Sequence, residues 1–171
     1  RLISFHPAVE VTTALYPTLL NTLGSSIHLS KTVMNLISNA AEAMPEGGRI
    51  TITTENTYLE RPIRGYSEVK EGPYVLLKIS DSGVGISSED LQRIFEPFYT
   101  KKKMGRSGTG LGMAVVWGTV QDHKGYIDVR SAEGKGTVID LYLPATSQKP
   151  STQVKAETLD ALRGSGEKIL I

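Results

Sequence analysis

The stretch that most constrains this chain is Asp81-Ser82-Gly83-Val84-Gly85-Ile86. It follows Val75-Leu76-Leu77-Lys78-Ile79-Ser80, which reads as a strand. Side chains alternate along a strand, so Val75, Leu77, Ile79 and Asp81 share one face. Three of the four are apolar and belong in a core. Asp81 is therefore a carboxylate aimed inward, where the strand gives way to a glycine turn. A buried carboxylate without a partner is costly, and an ionised Asp only accepts hydrogen bonds. It needs a donor, and the amino group of an adenine would suit it. The competing reading is a functionally silent turn Asp before glycine. Its neighbours along the chain decide between the two.

Upstream, Gly24-Ser25-Ser26 punctuates the chain, and Ser25 or Ser26 can cap a helix over residues 27–44. Leu29, Val33, Leu36, Ile37, Ala40 and Met44 recur at helical spacing and form its core face. Asn35, Asn39 and Glu42 stack on a second face. Asn is a mediocre helix former, so two of them one turn apart beside an apolar stripe are unusual. That stripe is either an ordinary solvated face or a set of oxygen donors for a hydrated Mg²⁺, an ion that keeps several waters and takes phosphate oxygens.

Downstream, Ser87 and Asp90 form a capping box for a short helix reaching to about residue 95. Glu96-Pro97 stops it, with Phe95, Phe98 and Tyr99 as aromatic anchors. Residues 100–112 read Thr-Lys-Lys-Lys-Met-Gly-Arg-Ser-Gly-Thr-Gly-Leu-Gly, ahead of a helix over residues 113–123. Glycines opening a helix let backbone N–H groups approach a phosphate, with the helix dipole adding attraction. The basic segment is either a lid over bound nucleotide or a plain loop.

Strands are also expected at residues 9–12, briefly at 19–21, and at 49–56. A polar surface excursion over residues 58–72 carries Tyr58 and Tyr66 as packing residues. Residues 125–130 and 137–143 make a hairpin across Glu133-Gly134-Lys135-Gly136, with Pro144 ending the second strand. Residues 1–145 form one domain and residues 146–166 a linker, with room for a short helix around residues 156–162. Residues 167–171 start a further strand. The chain reads as a piece of a longer protein. Lys plus Arg number 19 against 18 Asp plus Glu, so bulk charge argues for neither nucleic acid nor an anionic membrane. There is no cysteine, which excludes disulfides and thiolate metal sites and suits a reducing compartment. No apolar run approaches the roughly 18 residues of a membrane span.

Four pieces stand in fixed order: the Asn35–Asn39 helix, Asp81-x-Gly83-x-Gly85, Phe95-Glu96-Pro97-Phe98, and Gly108-Thr109-Gly110-Leu111-Gly112. Together, over residues 9–144, they resemble the catalytic ATP-binding domain of sensor histidine kinases, in the gyrase/Hsp90/kinase/MutL superfamily. The resemblance implies an α+β fold: a two-layer α/β sandwich of Bergerat type, its mixed, mostly antiparallel sheet carrying helices on one face, with a flexible lid. It implies ATP and Mg²⁺ as ligands. Asn39 matches the Mg²⁺-binding position, with Asn35 and Glu42 in the same box. Asp81 matches the adenine-reading carboxylate, and Gly83 and Gly85 let the chain pass close to the base. Phe98, with Phe95, matches the aromatic box anchoring the lid. Gly108, Thr109, Gly110, Leu111 and Gly112 match the segment beside the phosphates. Thr137 falls where such domains often carry a Ser or Thr near the adenine. Lys102, within Tyr99-Thr100-Lys101-Lys102-Lys103, resembles the lysine that reaches the phosphates.

The resemblance also separates branches. ATP-hydrolysing members place a Glu where this chain has Asn35, and an amide cannot act as a general base at neutral pH. It therefore implies γ-phosphoryl transfer to a histidine on a separate dimerisation domain. His6, His28 and His123 sit in no acceptor-like motif, so that domain is expected N-terminal to this chain. Glu167-Lys168-Ile169-Leu170-Ile171 resembles the first strand of a receiver domain, as in a hybrid kinase, so a receiver domain or response regulator is an expected partner. The expected location is bacterial cytoplasm. The alternatives are a superfamily ATPase acting as a conformational clamp, against which Asn35 argues although Glu42 could in principle deprotonate a group, and a module that has lost nucleotide binding.

Overall fold

The computed structural model describes residues 8–60, 63, 66, 69–100 and 109–148. The expectations for His6, Lys102, Gly108, the linker beyond residue 148 and the strand at residues 167–171 lie outside the described residues.

Alternating β-branched and polar residues set the strands. β1 (Val9–Leu15) runs parallel to β3 (Gly48–Leu59), and β3 pairs antiparallel with β4 (Gly72–Asp81). β4 pairs antiparallel with β6 (Thr137–Thr146), which also pairs antiparallel with β5 (Tyr126–Ser131) and, at its end, with β2 (Asn21–Thr22). The sheet is thus mixed and mostly antiparallel, as expected. β6 continues past Pro144 to Thr146, where Ala145 and Thr146 find a partner in β2. Proline is tolerated where no ladder bond is asked of its nitrogen. β3 extends to Leu59, three residues beyond the expected end.

α1 (Ser26–Glu42) starts on Ser25, whose hydroxyl accepts from the His28 N–H. α3 (Gly112–Asp122) packs beside it. α2 (Ser88–Leu91) begins as expected, with Ser87 Oγ accepting from the Asp90 N–H, but lasts a single turn rather than reaching residue 95. Leu36, Ile37 and Ala40 of α1 and Val116 and Val120 of α3 bury against Ile50, Ile79, Ile127, Ile139 and Leu141 of the sheet. Each of the Leu, Ile and Val side chains stabilises by roughly 1.5–3 kcal/mol on burial. His123 ties the layer together: its Nε2 accepts from the Ser25 N–H at 3.0 Å while Nδ1 donates to the Thr119 carbonyl at 2.7 Å.

Tyr66 packs, as expected, in an aromatic group: it stacks on Trp117 at 6.0 Å and meets Tyr126 edge-on at 4.9 Å. Its hydroxyl accepts from the Ile127 N–H on the free edge of β5, which shields that edge. Tyr58 does not pack. It is exposed and its hydroxyl donates to Glu71.

Candidate nucleotide-binding cavity

Strand register decides where Asp81 points. It is the last residue of β4, flanked by Ile50 of β3 and Thr137 of β6, and it shares the helix-covered face with Ile79. One carboxylate oxygen, Oδ1, accepts from the Gly83 N–H at 2.8 Å, and the Thr137 N–H also donates to the group. Burial pushes its pKa above the ordinary carboxylate value, and those two N–H groups hold it back. The acid is thus anchored on one side and left with acceptor capacity towards a cavity of about 860 Å³.

The turn after Asp81 is wedged between two other segments. The Val84 N–H donates to the Ala43 carbonyl at the end of α1, and the Val84 carbonyl accepts from Gly134 in the β5–β6 hairpin at 2.7 Å. This changes the reason for the glycines. A Cβ on Gly85 would lie 2.0 Å from the Ala132 carbonyl oxygen, and its φ is +72°. On Gly83 it would lie 2.7 Å from the Ala43 carbonyl oxygen. Both glycines are required by the protein's own backbone. Gly85 lines the cavity and Gly83 does not.

The opposite wall comes from α1. Asn35, Asn39 and Glu42 all face the cavity, as their spacing predicts. The Asn35 side-chain N–H reaches towards the Gly112 carbonyl at 3.5 Å, a long contact. Among the described residues no three His, Cys, Asp or Glu side chains gather as a metal cage. Two amides and one carboxylate instead form an all-oxygen set, which fits an ion held mainly by waters and phosphate.

The third wall is the start of α3. Thr109, Gly110 and Gly112 line the cavity. Leu111 is the cap residue and offers no side-chain bond, and no acid stands in the first turn. The first-turn N–H groups therefore lack helix partners and suit an anion.

The aromatic pair divides. Phe95 packs on Trp117 at 4.9 Å. Phe98 does not line the cavity: the residue is 73% exposed and its backbone takes φ +65°. Of the aromatic box expected beside the lid, Phe98 therefore adds no side chain to the cavity lining. Tyr99 takes that place in the wall, its hydroxyl donating to Asp90 Oδ1 at 2.6 Å and its ring under the Arg93 guanidinium at 4.1 Å. Val129 and Glu133 also line the cavity without having been singled out. Strand parity with Ile139 could have found Val129; nothing local marks Glu133.

Residues 24–147 match the family described as histidine kinase-, DNA gyrase B- and HSP90-like ATPase. The chain is 36% identical over 147 residues to the sensor kinase CckA of Brucella abortus, covering 81% of this chain and 15% of that protein. It is 37% identical over 116 residues to sporulation kinase E of Bacillus subtilis, covering 68% of this chain and 14% of that protein. The chain therefore spans about one seventh of the length of these relatives. Among solved structures, the catalytic domain of histidine kinase ThkA in a nucleotide-free form superposes with a TM-score of 0.63 at 27% identity, over 81% of this chain and 80% of that one. Full-length ShkA in complex with AMPPNP superposes with a TM-score of 0.62 at 25% identity, over 84% of this chain and 27% of that one.

Proposed function

Since the chain belongs to the histidine kinase-, DNA gyrase B- and HSP90-like ATPase family, we propose that its cavity takes Mg-ATP. We propose further that it presents the γ-phosphoryl group to a histidine on a separate helical dimerisation domain, for onward passage to a receiver domain or response regulator. One observation carries this reading. A partly buried acid with spare acceptor capacity lies on the cavity floor, and an uncapped helix N-terminus lies on its wall.

In this reading Asp81 accepts from the adenine amino group, and Ile79, Val129 and Ile139 give the base an apolar bed. The N–H groups that open α3 hold phosphate oxygens. Asn39, with Asn35 and Glu42 beside it, holds the Mg²⁺ and its waters. That ion would neutralise phosphate charge when the nucleotide is bound. Asn35 has no basic site for a water proton, so the residues bind, orient and stabilise charge rather than activate water.

Glu42 on the cavity wall favours a second reading, an ATPase working as a conformational clamp. Joining the chain to an acceptor-histidine domain and supplying γ-labelled ATP separates the two. Acid-labile phosphohistidine is expected. Steady phosphate release without it would replace the first reading by the second.

A further inference from the structure

Ser131 closes β5 and stands opposite Thr137, the first residue of β6. Its hydroxyl donates to the Gly136 carbonyl at 2.7 Å and accepts from the Ile86 N–H at 2.8 Å. Thr137 Oγ1 lies 3.0 Å from the same oxygen. A hydroxyl has one proton and two lone pairs. The Ser131 proton is already committed to Gly136, so in the Ser131–Thr137 contact Thr137 is the donor. Thr137 is 6% exposed, and what it shows outward is cavity lining. With its one proton turned to Ser131, the hydroxyl keeps only lone pairs for any further partner. Its cross-strand partner is Asp81, which when ionised is also only an acceptor.

We infer that Ser131 is a positioning residue for base selection: it holds the Thr137 hydroxyl as an acceptor, so that Thr137 and Asp81 together admit a 6-amino purine and oppose a 6-oxo purine. This inference rests on the ATP reading of the cavity. An exocyclic amine brings two protons to two acceptors. A 6-oxo group brings lone pairs to the same place, and buried polar groups left unpaired are penalised. Without Ser131 the Thr137 hydroxyl is free to turn and donate into the cavity, which removes part of the opposition to the oxo group. Ser131 also holds the Ile86 N–H, so the turn that ends in Gly85 is fixed by the same oxygen.

The test is titration of the 171-residue chain with ATP and with ITP, which differ at the six position of the base. Wild type favours ATP. Ser131→Ala lowers the ATP-to-ITP affinity ratio by about three- to ten-fold, the range of one net hydrogen bond. Ser131→Thr keeps the hydroxyl and holds the wild-type ratio. In a Thr137→Val background Ser131→Ala changes the ratio no further, because the group it orients is gone. If Ser131→Ala does not fold, Ser131→Cys, with its weak S–H donor, is read by the same criteria. Equal loss of affinity for both nucleotides, or the same ratio change in the Thr137→Val background, overturns the inference alone. A wild-type chain that binds neither nucleotide overturns the ATP reading and this inference with it.

Discussion

The Phe98 N–H donates to the Gly110 carbonyl at 3.0 Å, and a Cβ on Gly110 would sit 2.5 Å from the Phe98 carbonyl carbon. Phe98 and Gly110 are therefore pinned together, with Gly110 in the cavity lining. The pin holds both residues in the left-handed region, with φ +65° and +68°. For phenylalanine that conformation costs of order 1–3 kcal/mol. Gly110→Ala adds a backbone clash to a strained φ and is expected to destabilise by about 1–3 kcal/mol. It should also weaken nucleotide binding, because Gly110 lines the cavity. Thermal unfolding with and without ATP measures both, and a melting temperature equal to wild type would contradict the pinned neck.

Asp81→Asn turns an acceptor into a group with donors on the cavity floor. A loss of about 1–3 kcal/mol in ATP affinity is expected from the unpaired polar group. Calorimetric titration of the variant reads it directly, and an affinity equal to wild type would remove the base from this acid.

The same carboxyl gives two pH effects of opposite sign. Burial, opposed by the Gly83 and Thr137 N–H groups, raises its pKa above the ordinary 3.8. A raised folded-state pKa favours the neutral acid in the fold. The associated stability is present below the unfolded value and lost as pH rises through the folded value. Acidification across that window should therefore raise the stability of the nucleotide-free chain and weaken ATP binding, since the acceptor becomes protonated. Asp81→Asn should abolish the binding trend and lessen the stability trend, to which Asp140 contributes with the same sign. Melting curves and titrations over a pH series check the signs.

Asn39→Ala should weaken ATP binding more in the presence of Mg²⁺ than in its absence, because the amide oxygen is assigned to the ion and its waters. Paired titrations with Mg²⁺ and with a chelator decide it. Equal losses would take Asn39 away from the metal.

On the far face of the sheet, Asp140 is 3% exposed, bonded to Arg130 through one oxygen, with Lys78 at 4.0 Å from the other. Burial raises its pKa, against the pull of Arg130 and Lys78. Among the described residues its Oδ1 has no hydrogen-bond partner. Asp140→Asn, which keeps the shape without the charge, should leave stability at pH 7 unchanged or higher. Arg130→Ala removes the charge partner and should cost about 1–2 kcal/mol, discounted because the arginine is half exposed. Chemical denaturation of the two variants gives the comparison.

Much of this was legible in the chain itself. Period-two alternation placed Asp81 on the covered face, and helical spacing put Asn35, Asn39 and Glu42 on one wall, since both depend only on local geometry. Ser25 and Ser87 marked their helix starts by the same local chemistry. Phe98 shows the limit. Its motif pointed to the aromatic box beside the lid, but which aromatic lines the cavity depends on how separate segments meet, and Tyr99 lines it while Phe98 stays exposed.

The sequence by itself determined the strand and helix faces, the family, and the shared face of Asn35, Asn39 and Glu42, because periodicity and motif order are properties of neighbours along the chain. Only the tertiary structure decided that Gly85 is required by the Ala132 carbonyl, that Tyr99 rather than Phe98 lines the wall, and that the Ser131 and Thr137 hydroxyls meet. Each of these rests on which atoms of separate segments come within bonding or clashing distance. Strand register and helix packing fix those distances, and no spacing in the sequence encodes them.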